Sequence, residues 1–259
     1  PSMLRWGRMR REGSEMTVTF GSLFAGIEGF GLGLERAGLK CKWQVEIDPY
    51  AKRILEKHWP LVPKWNDVRT FPPDGDWGVD VIAGGFPCQN ISTAGDGKGI
   101  DGEQSGLWRE YFRIIRILRP RVVIVENVPA ISFRGLDRVL GNLASIGFDA
   151  EWETLPAYSF GVPQPRWRTW IVAYSHGLRE LQPAWGFKNE WRWPSDRRET
   201  IDWILSRGGV LRSSDGVPAR LDRVGTLGRA IVPSVSEHLG LLVNDILTPQ
   251  PRERRESDG

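Results

Sequence analysis

From Thr17 onward the apolar residues fall into two alternating kinds of run. Short, nearly continuous apolar stretches have the length of buried strands. Between them apolar residues recur every three or four positions, as on one face of a helix. Thr17–Leu23 reads as the first strand. A glycine-rich turn then leads into a helix through Leu32–Ala37, with Gly38 as its C-cap. Lys42–Ile47 is a second strand, and Asp48-Pro49 places an N-cap before a proline at the first helical position, opening a helix to His58. Val79–Ala83 is a short buried strand, and Ser105 caps a long amphipathic helix ending before Pro120. Arg121–Val125 is another strand, Leu136–Ile146 a helix closed by Gly147, and Glu151–Leu155 and Thr169–Tyr174 are further strands. This alternation predicts an α/β fold, a mostly parallel sheet with helices on both faces.

The pattern divides the chain. Residues 1–16 form a loose basic leader, with Met16 a candidate internal start, and 17–174 form the main α/β domain. Residues 175–219 mix Trp, Pro, Gly and charges irregularly, apart from one helix at Glu199–Ser206. That is too little for an independent core but enough for an inserted recognition element. Residues 220–251 return to helical spacing over Leu221–Leu247, and 252–259 are a charged tail.

With 40% hydrophobic and 26% charged residues the chain is expected to fold. Two cysteines exclude a disulfide framework, and neither Cys41 nor Cys88 stands at zinc-ligand spacing to His58, His176 or His238, so no metal is expected. No apolar run reaches membrane-spanning length and the basic leader has no apolar stretch behind it. The expectation is a cytoplasmic protein without a secretory signal or membrane partner, monomeric by default. A net charge of +3 permits a polyanionic partner. Arg outnumbers Lys 28 to 7, which suits phosphates and base edges but also follows from GC-rich codon usage.

Ligands of open parallel sheets bind at the carboxyl ends of the strands. The first strand ends in Phe24-Ala25-Gly26-Ile27-Glu28-Gly29-Phe30-Gly31. This is not the glycine order of dinucleotide binders, and Glu28 is expected to repel a pyrophosphate. Glu46 ends the second strand, where an acid commonly bonds ribose hydroxyls. Both facts suit a ribose-bearing cofactor without a diphosphate, S-adenosylmethionine above all. A tight turn beside a surface acid is the plainer reading. The next strand ends in Gly84-Gly85-Phe86-Pro87-Cys88-Gln89, which holds a thiol on a constrained loop, where a nucleophile would sit. Cys41 reads as inert packing. Glu126-Asn127-Val128 ends the strand at 121–125, and an acid kept protonated by burial there could donate to a ring nitrogen. In Gln164-Pro165-Arg166-Trp167-Arg168 two arginines alternate, and in an extended segment they point the same way.

Phe-Ala-Gly-Ile-x-Gly, Gly-Gly-Phe-Pro-Cys-Gln, Glu-Asn-Val and Gln-x-Arg-x-Arg, in this order and spacing, resemble the cytosine-5 DNA methyltransferase family over residues 17–173 and 220–247. The resemblance implies a compact prokaryotic or phage-type enzyme with an S-adenosylmethionine-dependent, Rossmann-like fold. It would methylate carbon 5 of cytosine in double-stranded DNA on a flipped-out base and release S-adenosylhomocysteine, with a cognate restriction endonuclease as a candidate partner. Cys88 would add to carbon 6, Glu126 would act at N3, and Arg168 would hold O2 with support from Arg166. Phe24 would stack on adenine, Glu46 would bind ribose and Asp67 the adenine amine. Ala25, Gly26, Ile27, Ile47, Val68 and Pro87 would complete the cofactor site. Gln89, Ser92, Gln164, Arg192, Arg197 and Arg198 are the candidate DNA contacts. Segment 175–219 would be a short target-recognition region, although its interleaved aromatic and basic residues suit a satellite core equally well. Two positions depart from the family. Ser22 stands where Asp is frequent, and Arg229 replaces an Asn that helps close the cofactor site. The alternatives are an RNA (tRNA) cytosine-5 methyltransferase, a non-catalytic DNA-binding relative and, more distantly, a nicotinamide oxidoreductase.

Overall fold

The computed structural model describes residues 17–87, 106–160, 166–176, 178 and 231–248. The leader, the tail, Ser105, the helix expected at Glu199–Ser206 and nearly all of the 175–219 segment lie outside them.

Seven strands form one sheet in the order β3-β2-β1-β4-β5-β7-β6. They are β1 (Thr19–Leu23), β2 (Lys40–Val45), β3 (Lys64–Trp65), β4 (Val81–Gly85), β5 (Val122–Asn127), β6 (Phe148–Pro156) and β7 (Trp167–Ser175). The first five run parallel, while β7 is antiparallel to both β5 and β6. The helices are α1 (Gly29–Arg36), α2 (Pro49–His58), α3 (Leu107–Leu118), α4 (Ile131–Arg134), α5 (Leu136–Ser145) and, after the undescribed stretch, α6 (Pro233–Leu247). The strand order reverses at β1 and β4, which opens a crevice at their carboxyl ends.

The apolar run of β5 has both of its faces buried. Val123 and Val125 join Trp108 and Tyr111 of α3 and Val139 of α5 in one core. Val122 and Ile124 join Phe30 and Leu34 of α1 and Leu239 and Val243 of α6 in the other. Period-two alternation therefore serves two helical layers, which is why the strand reads as continuously apolar.

Most strand ends lie within two residues of the sequence expectation, and several elements depart from it for a clear physical reason. Helix α1 begins at Gly29, not Leu32, because the Glu28 carboxyl group accepts the Gly31 N–H and caps it. Helix α3 begins at Leu107 behind Gly106, with no side-chain cap. Strand β6 runs from Phe148, since its pairing with β7 extends from Phe148↔Ser175 to Pro156↔Trp167. Its Asp149, Glu151 and Glu153 belong to an edge strand and hide the pattern. Two-residue β3 is too short to have any periodicity.

Ile124 has no exposed surface and Leu61 is 95% exposed. Ile124→Ala should cost about 2–5 kcal/mol by opening a cavity in the inner layer, whereas Leu61→Ala should stay within about 0.5 kcal/mol of the parent. Urea denaturation midpoints check both, and equal midpoints would contradict this assignment of the core.

Candidate active site

The carboxyl ends of β1, β2, β4 and β5 open onto one cleft of about 830 Å³. On one side its wall holds Phe24, Gly26, Glu46, Ile47, Asp67 and Val68; on the other it holds Pro87, Glu126, Arg166 and Arg168. Ala25 and Ile27 are not on the wall. Ala25 is buried and donates its N–H to the Val45 carbonyl at 3.0 Å, so it braces the loop from behind.

The loop after β1 alternates left-handed residues, Phe24 (φ 55°), Gly26 (φ 56°) and Glu28 (φ 63°). Phe and Glu pay a steric penalty there, so other contacts must hold the turn. Glu46 supplies two: one carboxylate oxygen accepts the Gly26 N–H at 2.6 Å and the other the Asp48 N–H at 2.7 Å. The Phe24 ring stacks on Tyr111 with centroids 6.2 Å apart. Glu28, expected to face the ligand, instead points into the protein and is fully buried. Its charge therefore plays no part in selecting against a diphosphate.

Asp67 caps the short turn Val68–Thr70 and is gripped by Arg69, whose Nε and backbone N–H both lie 3.0 Å from the same oxygen. These bonds hold the Asp67 carboxyl below its ordinary range. Arg113 was not singled out in the sequence, yet it reaches from α3 to the carbonyls of Val68 at 2.9 Å and Phe71 at 2.6 Å while pairing with Glu110 at 2.7 Å. One guanidinium thus anchors the turn that carries Asp67. No local signal marks it, because an arginine on the polar face of an amphipathic helix reads as solvated.

At the other end of the cleft Glu126 is 8% exposed, and its carboxylate meets Arg168 Nε at 2.8 Å. Burial pushes its carboxyl above the usual range, and the charges of Arg168 and Arg166 pull against that rise. Gly85 must lack a side chain, for a Cβ there would stand 2.5 Å from Glu126 Oε2. Asn127 is also buried. Its Nδ2 donates to the Phe86 carbonyl at 3.2 Å, which ties the start of the Phe86-Pro87-Cys88 loop to β5. The Asn of Glu-Asn-Val thus holds that loop, a role that no local sequence signal marks. Cys88, Gln89, Ser92, Gln164, Arg192, Arg197, Arg198 and Arg229 lie outside the described residues. Cys41 lies in β2, away from the cleft; burial pushes its thiol well up, and its Sγ donates to the Trp43 carbonyl.

The fold is the Rossmann-like one of S-adenosylmethionine-dependent methyltransferases. A Spodoptera frugiperda DNMT2 crystal structure superposes with a TM-score of 0.53 at 21% identity, covering 66% of this chain and 53% of that one. The chain belongs to the C-5 cytosine-specific DNA methylase family, whose model matches residues 18–209. It is similar to type II methyltransferase M2.BsuMI of Bacillus subtilis, 36% identical over 59% of this chain and 41% of that protein. It is also similar to M.Eco47II of Escherichia coli, 34% identical over 77% of this chain and 48% of that protein. The chain thus spans about half the length, or less, of these curated relatives.

Arg113→Met keeps the apolar stem and removes the donors. It should speed amide exchange at Thr70 and Phe71, whose N–H groups bond Asp67 and Val68 within the turn, and destabilise the protein by about 1.5–3 kcal/mol. Exchange unchanged from the parent would show that the turn holds without Arg113.

Proposed function

We propose that this chain transfers a methyl group from S-adenosylmethionine to carbon 5 of cytosine in double-stranded DNA. The observation that carries the reading is the buried Glu126–Arg168 pair on the cleft wall, beside an Asn127 that holds the loop leading to Cys88. Family membership supplies the chemical class.

The donor set on the β1–β2 side fits the cofactor. Glu46 offers carboxylate oxygens to ribose hydroxyls, Asp67 an acceptor to the adenine amine, and Phe24 an aromatic face. Gly26, Ile47, Val68 and Pro87 shape the wall between them. When bound, S-adenosylmethionine supplies the electrophilic methyl group that carbon 5 accepts.

Carbon 5 of cytosine is a poor nucleophile. Addition of the Cys88 thiolate to carbon 6 pushes an electron pair through the ring and makes carbon 5 electron-rich. Glu126, whose proton affinity burial raises, donates at N3 as that charge arrives. Arg168 holds Glu126 in place and faces O2, and Arg166 adds positive charge that favours the thiolate. Loss of the carbon-5 proton to a base then lets Cys88 leave by β-elimination. A base inside a duplex must leave the stack to reach such a cleft, at a few kcal/mol offset by pocket and phosphate contacts. Residues 175–219, with Arg192, Arg197 and Arg198, supply the DNA-reading surface, together with Gln89, Ser92 and Gln164. Because the named relatives are type II methyltransferases, a restriction endonuclease of the same site specificity is the partner this reading adds.

Tritiated methyl transfer from S-adenosylmethionine should label plasmid duplex and leave tRNA unlabelled. Cys88→Ala should abolish labelling while keeping the gel shift, and duplex with 5-fluorocytosine should trap the parent protein covalently. Label in tRNA alone would establish the RNA reading; a gel shift without label would establish the non-catalytic one. On the cofactor side, Glu46→Ala should weaken S-adenosylmethionine about 5- to 150-fold, the equivalent of roughly 1–3 kcal/mol. Calorimetry reads this directly, and unchanged affinity would move the cofactor elsewhere.

A further inference from the structure

Glu28 is an acid with no exposed surface, seated between the cofactor loop and the sheet. One oxygen accepts the Gly31 N–H at 3.0 Å. A side chain at Gly31 would collide with this carboxyl, so the helix leaves a slot for it. The other oxygen, Oε2, is buried with Ser22 Oγ of β1 and both polar atoms of Gln44 of β2, none of them in a well-formed hydrogen bond. Ser22 and Gln44 nevertheless lie close enough to act on the carboxyl.

The charged groups around it do not neutralise an anion. Glu35 on α1 repels one, and Cys41 on β2 is a buried thiol. The Lys64 ammonium of β3 acts on Glu28 from a distance, but it is bonded to the carbonyls of Trp59 and Val62. A carboxylate in this place would be a buried charge without a contacting cation, whereas a carboxylic acid can donate to Gln44 or Ser22. Glu28 also has one of the left-handed backbone conformations of the loop, at φ 63°, and its N–H bonds the Ala25 carbonyl at 2.8 Å. Its side chain and backbone therefore fix the same turn.

We propose that Glu28 is a positioning residue of the cofactor site: as a neutral acid it links the first turn of α1 to Ser22 and Gln44 and so holds Phe24 and Gly26 at the cleft. This rests on the reading that the β1–α1 loop receives the cofactor. Burial raises the Glu28 carboxyl from 4.5 to about 8. A group raised in the folded state contributes stability that is full below its unfolded value and is lost as pH rises towards the folded one. The stability it contributes therefore declines between about 4.5 and 8, while the link itself persists in the folded chain until pH rises through about 8.

The test measures binding of S-adenosylhomocysteine, thermal melting and amide exchange at Gly26–Gly31 from pH 6 to 9.5, in the parent and in Glu28→Gln. Gln keeps the shape and cannot ionise. The ligand's own titration is common to both proteins and cancels in their ratio. Parent affinity should fall by about tenfold relative to Glu28→Gln between pH 7 and 9, as the protonated fraction falls. Protection at Gly26–Gly31, corrected for the intrinsic base-catalysed rate, should fall in the parent over the same range and stay level in Glu28→Gln. A parent-to-Gln ratio that stays flat across the range overturns the proposal, as does a Glu28→Gln variant with lost affinity at pH 7. If the Gln variant does not fold, parent protection at Gly26–Gly31, corrected for the intrinsic rate, that does not fall above pH 8 overturns it. If the parent binds no ligand at pH 7, the cofactor reading fails instead, and the melting profiles then decide for Glu28.

Discussion

A carboxyl group at the end of a fully buried strand needs a partner that the strand itself cannot supply. Glu126 follows four consecutive apolar residues of β5 and stays in the ladder, opposite Trp170 of β7. Parallel neighbours present only their own carboxyl ends there, as β4 does with Gly85. Strand β7 runs the other way, so it begins where the parallel strands finish, and its first turn of chain brings Arg168 to Glu126 at 2.8 Å. The one reversal in the sheet thus has a chemical consequence: it delivers cations to the carboxyl edge. The missing side chain at Gly85 leaves room for that pair.

A similar economy governs the β1–β2 side of the cleft. Glu46 spans the β1 loop and the β2–α2 turn with its two oxygens, and Arg113 does the same for the Asp67 turn from the α3 side. In each case a charged group on a regular element satisfies backbone groups of an irregular one, which is how loops acquire fixed positions without a core of their own. The loops then carry the ligand-facing atoms, and the sheet carries only their anchors.

Strands and helices with strong apolar periodicity, such as β5 and α5, were legible in the sequence to within a residue or two. So was the meeting of Glu46 and Glu126, because strand ends of a parallel sheet must share one edge, whereas Asp67 and Arg168 rested on the family resemblance. What was not legible depended on contacts between distant segments. Arg113 acts on residues some 42 to 45 positions away, and β3 exists only because Gln44 and Val45 offer it an edge. Glu28 was misread for the same reason. Its neighbours in sequence are glycines and suggest a loop open to solvent, whereas its neighbours in space are Ser22 and Gln44.

That burial also accounts for Ser22, which stands where the family frequently has Asp. Ser22 is 1% exposed and lies beside the Glu28 carboxyl. Two acids in one dry site would both have to be neutral, or one would carry an unpaired charge, and either is costlier than a hydroxyl. A hydroxyl at 22 therefore suits the acid at 28 better than a second carboxyl would. The same corner also receives α6. Ser236 at the start of α6 donates to the Gly29 carbonyl at 3.3 Å, and Glu237 approaches Arg36 at 3.7 Å. Helix α6 thus closes the outer side of α1 where Glu28 closes its inner side. The β1–α1 loop is held between a buried acid supplied locally and a helix 207 residues further along the chain.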